Sequence, residues 1–197
     1  MNDFIKIGSA SRRQILAAGA LGGTAALLAA CGATSGTPAA SAAPRTGRLY
    51  LSILTGDQLG KKEWPAVVPA HFKAPANATV TVELLNFDDA TPLAAGSEQY
   101  AKVTGTVGNT ITVETWDPTN PSADGSSKVV SSLEPANVSH TITFDKLGIN
   151  IPVAPKSKSL FQIQTGNAGT YDWVCMDPCG EDAMRTDGYM KGTLIVE

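Results

Sequence analysis

The chain has 197 residues, 43% of them hydrophobic and 17% charged, with a formal net charge of −3, two histidines and three cysteines. No basic field exists to hold a phosphate backbone, which argues against nucleic acid as a partner. Two histidines exclude a metal site built mainly from imidazoles, and low charge with abundant Ala, Gly, Ser and Thr suits an exported, β-rich protein.

Residues 1–30 read as an address. Lys6, Arg12 and Arg13 precede an uncharged run from Ile15 to Ala30 built from Ala, Leu and Gly, a basic segment followed by an apolar one. The run is too short and too rich in Ala and Gly for a membrane span. Arg12-Arg13, within Ser11-Arg12-Arg13-Gln14-Ile15-Leu16, resembles the twin-arginine export motif, and Leu28-Ala29-Ala30-Cys31 resembles a bacterial lipobox. These motifs imply an export signal over 1–30, lipidation of Cys31, a flexible tether over 31–47 and a folded domain over 48–197. The domain is then expected on the extracytoplasmic face of a bacterial cell membrane, held by its lipid anchor. Removing residues 1–30 takes away three basic charges and one acidic charge, moving the net from −3 to −5.

From Arg48 onward, short β-branched or alternating runs separated by turn residues predict strands. In chain order they are Leu49–Leu54, Thr79–Leu85, Ala101–Val107, Thr110–Trp116, Ser127–Ser131, His140–Phe144, Leu160–Gln164, Thr170–Cys175 and Lys191–Val196. Gly56 to His71 reads as a short helix or loop. Val107-Gly108-Asn109-Thr110 is a hairpin signal, because Gly and Asn tolerate the positive φ of a tight turn. Pro152 and Pro155 punctuate. Many short strands at even spacing predict an all-β sandwich or barrel.

Chemistry concentrates after residue 138. His140 opens one predicted strand, and alternation puts Tyr171, Trp173 and Cys175 on one face of another. Cys175 then hands over to a loop holding Cys179 and Met184, with Met190 as a competing thioether. Thiolate, thioether and imidazole together select a soft or borderline metal, copper first. The competing reading is a Cys175–Cys179 disulfide, formed in an oxidising compartment, in a metal-free binding or structural module. His71 reads as a solvated loop histidine and Asp88-Asp89 as a turn. Asp177, Glu181 and Asp182 read as an acidic rim able to steer a basic redox or copper-delivery partner. No Ser/His/Asp set, paired catalytic carboxylates or phosphate loop stands out, which argues against an enzyme.

His140-Thr-x-Thr, then Leu147-Gly148-Ile149-Asn150, Gly169-Thr170-Tyr171 and Cys175-x3-Cys179-Gly180 resemble a cupredoxin domain. The likeness is to the copper domain of cytochrome c oxidase subunit II and nitrous-oxide reductase. It covers about residues 76–197 and implies a cupredoxin-like Greek-key β-barrel or sandwich with the metal loop between its last two strands. The family has a second His four residues after the second Cys and a Met three further on; here Ala183 and Thr186 stand there. The resemblance therefore implies one copper ion rather than a binuclear centre, held by His140, Cys175, Cys179 and Met184. It also implies electron transfer or copper handling as the use.

Overall fold

A computed structural model describes residues 43–61, 64–115 and 125–197; the export-signal and lipidation readings, with Arg12, Arg13 and Cys31, fall outside the described residues. The strands are β1 (Arg45–Leu54), β2 (Ala66–Val68), β3 (His71–Ala74), β4 (Ala78–Asn86), β5 (Ile111–Thr115), β6 (Ser127–Val130), β7 (His140–Phe144), β8 (Ile149–Val153), β9 (Ser157–Gln164), β10 (Gly169–Val174) and β11 (Lys191–Val196). One short helix, α1 (Glu181–Arg185), lies between β10 and β11. The first sheet runs β2-β1-β4-β9-β5-β6 and the second β3-β11-β10-β7-β8. β1 pairs with β4, and β3 with β11, in parallel. This is the all-β, two-sheet sandwich expected, with the cysteine loop between the last two strands.

Alternation builds the core. Along β4 every second side chain is buried, from Ala78 through Val80, Val82 and Leu84 to Asn86, as a strand with one face on a core must be. These meet Leu51 and Ile53 of β1, Phe161 and Ile163 of β9, and, from the second sheet, Ile142, Phe144, Ile151, Trp173 and Leu194 in one cluster. Each such side chain contributes about 1.5–3 kcal/mol when fully buried. Cys175, Cys179, Ala183 and Met190 belong to the same cluster, so the loop between β10 and β11 is packed onto the core rather than draped over it.

The structure corrects several expectations. β1 begins at Arg45, inside the segment read as tether, because its parallel pairing with β4 extends down to Arg45 and Ala78. Residues 101–107 form no strand. They make isolated bridges to three partners in turn, Lys102 to Ser132, Thr104 to Asn150 and Thr106 to Ile163, so no single neighbour supports a ladder. The tight turn at 107–109 does form, with Gly108 and Asn109 at φ 78 and 50. However, β5 leaves it to pair with β9 and β6, not with 101–107. Residues 56–60 are turns, and β2 lies inside the segment read as helix or loop while β3 starts at its last residue. β8 carries Pro152, the punctuator that obscured it; β8 ends the second sheet, and an edge strand tolerates the missing N–H.

Candidate metal centre

β7 begins at a fixed point. Ser139 N donates to Val153 O at 2.8 Å, and its hydroxyl donates to Asp89 O at 2.6 Å. The turn after β4 is held in the same way, with Asn86 Nδ2 donating to Ala154 O at 2.8 Å and Asp88 N to Asn86 Oδ1 at 3.1 Å. These contacts bring Asp88 to His140. The imidazole is fully buried, and its Nε2 lies 3.1 Å from Asp88 Oδ2. His140 Nδ1 is buried and has no hydrogen-bond partner.

The cysteine loop is pinned at both ends. Cys175 N donates to Met190 O at 2.9 Å, Met190 N to Ala183 O at 3.2 Å, and Cys179 N to Asp177 O at 2.7 Å. Gly180, at φ 95, supplies the left-handed turn that starts α1. Ala183 is fully buried beneath the loop, a position where an imidazole would have to displace core. The Cys175 and Cys179 thiols are unbridged, 2.7 Å apart at Sγ. The Asp177 carbonyl oxygen lies 3.0 Å from Cys179 Sγ and 3.7 Å from Cys175 Sγ. Thr141 N donates to Cys175 Sγ at 3.4 Å. One nitrogen of His140 and the two sulfurs lie within 4.8 Å of one another.

The electrostatics separate the two thiols. Burial works to raise the Cys175 pKa, but the Cys179 thiol proton and the positive charge of His140 override it and hold Cys175 well below the ordinary thiol range. Cys179, sharing its proton with Cys175 and buried beside it, is pushed up. Burial likewise opposes charge on His140. The Asp88 carboxylate and the Cys175 sulfur win, raising its pKa to about 9. Asp88 is lowered in turn: His140 and Lys156 outweigh the cost of its burial. His140 is thus held toward its charged form between the Asp88 carboxylate and the Cys175 sulfur.

Asp177 is not on the rim. Its side chain is fully buried, and neither carboxylate oxygen has a partner. Burial first, then the nearby Cys175 charge, raises its pKa to about 7. Met184 lines an outer cavity with Thr143, Asp172 and Val174, whereas Met190 is fully buried beside Cys175. His71 is exposed, its Nδ1 2.9 Å from Thr193 Oγ1 and its Nε2 3.2 Å from Asp187 Oδ2. The structure therefore gathers His140, Cys175 and Cys179 and adds Asp88, which the sequence presents only as a turn residue.

The donor set fits copper. A buried imidazole nitrogen without a hydrogen-bond partner is costly unless a ligand takes it, and the two sulfurs grouped with this ring supply soft ligation. Asp88 holds the opposite ring nitrogen, the arrangement that fixes a metal-binding imidazole's orientation and tautomer.

No protein-family model matches the chain, and no curated protein matches it. Among solved structures, auracyanin A, a "blue" copper protein from Chloroflexus aurantiacus, is 17% identical over 77% of this chain and 99% of that one, with a TM-score of 0.39. A chain of a heme-copper terminal oxidase dimer is 15% identical over 65% of this chain, with a TM-score of 0.34. A multicopper oxidase from Campylobacter jejuni is 12% identical over 80% of this chain, with a TM-score of 0.40. The chain spans 51% of the terminal oxidase chain and 31% of the multicopper oxidase.

Proposed function

We propose that this protein binds one copper ion through His140, Cys175 and Cys179, with a methionine thioether as a weak further ligand, and uses it for electron transfer or copper handling. The observation that carries the reading is a buried, carboxylate-anchored histidine whose Nδ1 has no hydrogen-bond partner and whose ring brings a nitrogen within 4.8 Å of two unbridged cysteine sulfurs. Copper bound there would supply one-electron redox chemistry. The chain's own residues hold the imidazole in place through Asp88, favour loss of the Cys175 thiol proton, and exclude water by burying all three donors. Of the thioethers, Met190, which is fully buried and whose backbone carbonyl accepts from Cys175 N, is favoured over Met184, which lines an outer cavity. Among the described residues no helix is long and apolar enough to cross a membrane. In this reading the sequence's export motif and Cys31 place the domain outside the cytoplasm on a lipid anchor, where a redox or copper-delivery protein meets it.

Copper titration of the full-length protein, with thiol counting, tests the reading. Stoichiometric copper with a thiolate-to-copper charge-transfer band that Cys175→Ala abolishes supports it and favours electron transfer. Stoichiometric but spectrally silent Cu(I) favours copper handling. No retained copper together with zero free thiols overturns it in favour of a metal-free module with a Cys175–Cys179 disulfide.

A further inference from the structure

The face of β7 opposite His140 and Ile142 carries Thr141 and Thr143, both buried. Met176, the residue after Cys175, donates its N–H to Thr141 Oγ1 at 2.7 Å. Thr141 and Thr143 hydroxyls lie 3.2 Å apart, and Thr143 Oγ1 donates to Asn150 Oδ1 at 2.7 Å. Asn150 Nδ2 then donates to the carbonyls of Tyr100 and Lys102 at 2.9 and 2.7 Å.

The direction of every bond in this chain is determined. Two carbonyl partners can only accept, which fixes the Asn150 amide orientation and leaves Oδ1 as acceptor. Thr143 spends its single proton on that oxygen, so Thr141 must donate to Thr143. Thr141 keeps a lone pair for the Met176 N–H. All three side chains are at most 7% exposed, so a partner lost from this chain leaves a largely buried polar group unpaired. The far end is itself fixed, because the backbone N–H of Thr104 donates to Asn150 O, and that of Asn150 to Thr104 O, each at 3.0 Å.

We infer that the chain Met176–Thr141–Thr143–Asn150 positions the cysteine loop from the edge of the second sheet, making Thr143 and Asn150 positioning residues of the metal site. The link to the metal rests on the copper reading above; the hold on the loop does not. Thr141 is the branch point, since its N–H meets the Cys175 sulfur while its hydroxyl holds the next residue's N–H. Tyr100, Lys102 and Thr104, through their backbones, are the chain's anchor.

Thr143→Val tests this, with Thr143→Ser as the rescue and Thr143→Ala in reserve should valine crowd the site. Valine keeps the shape but leaves the Thr141 hydroxyl proton without an acceptor and Asn150 Oδ1 without a donor. In the metal-free full-length protein, hydrogen exchange of the Met176 amide should accelerate about tenfold in Thr143→Val and return to the wild-type rate in Thr143→Ser. In the copper-loaded protein, the reduction potential or the charge-transfer band should shift in the valine variant and recover in the serine variant. Unchanged Met176 exchange, or a copper-loaded valine variant with wild-type potential and band, overturns the inference. If the wild type takes up no copper, the proposed function falls, and Met176 exchange alone decides whether this chain holds the loop.

Discussion

His140 and Asp88 meet at 3.1 Å through Nε2 and Oδ2, 52 residues apart in sequence. The ring is fully buried and the carboxylate partly exposed. That asymmetry matters, because the buried partner has one nitrogen committed to the carboxylate and the other left for a ligand. A histidine serving only as core would be expected to satisfy both nitrogens.

Asp88→Asn should therefore weaken copper without unfolding the protein. The amide can still accept a hydrogen bond, but it carries no charge to hold the imidazole or raise its basicity. Loss of such an outer partner costs about 10- to 100-fold in metal affinity. Competition against a chromophoric Cu(I) chelator measures it. Wild-type affinity in Asp88→Asn would remove Asp88 from the site.

Copper affinity should rise with pH. The Cys179 thiol is pushed up, and His140, at about 9, is charged at neutrality, yet ligation needs thiolate and neutral imidazole. Each proton released on binding steepens the dependence by about tenfold per pH unit. Asp88 and Asp177, the carboxylates near the site, favour retaining those protons. Titrations at pH 6, 7 and 8 should give a monotonic rise, and proton release should be detectable in weakly buffered solution. A flat profile would mean that the site is deprotonated before metal arrives.

How much of this was legible in the sequence depends on the range over which each signal acts. His140, Cys175 and Cys179 are rare ligand types at or just beyond strand ends, a local signal, and the fold brings them together. Asp88 escaped because an Asp-Asp pair after a strand looks like any turn; only the packing of that turn against Ser139 gives it a role. Asp177 looked like rim because it neighbours Pro178 and two exposed acids, and no local pattern announces a buried carboxylate. β8 was hidden by Pro152, whose missing N–H matters only if the strand is central. The segment 101–107 has strand composition but three successive partners, which composition cannot reveal.

Asp177→Asn should stabilise the metal-free protein above neutrality. A buried carboxyl whose pKa rises from 3.8 to about 7 binds its proton more tightly folded than unfolded. Its effect is nil well below pH 3.8, and the fold loses stability as pH rises from there through about 7. The amide never ionises and escapes that loss. Thermal unfolding of the two proteins should nearly coincide at pH 4 and separate by about 3 °C or more at pH 8, the variant being higher. A constant difference at all pH values would exclude titration of Asp177 as its source.

Gly192→Ala should break the support beneath the cysteine loop. Gly192 pairs with Trp173 across β10 and β11. The Ala70 carbonyl crosses above it to accept from Trp173 Nε1 at 2.8 Å and Thr193 N at 3.1 Å. A Cβ on residue 192 would stand 2.0 Å from that carbonyl oxygen and 2.9 Å from Trp173 Nε1, so backbone must move and two hydrogen bonds must lengthen. Overpacking together with a lost buried bond should cost about 3 kcal/mol or more, read from the urea midpoint. Gly166→Ala is the control, since a Cβ there meets nothing within 4 Å, and its midpoint should stay within about 0.5 kcal/mol of wild type. Because Trp173 shares its strand face with Cys175, copper affinity should fall along with stability in Gly192→Ala and hold in Gly166→Ala. A Gly192→Ala protein with wild-type midpoint would show that this crossing does not support the sheet.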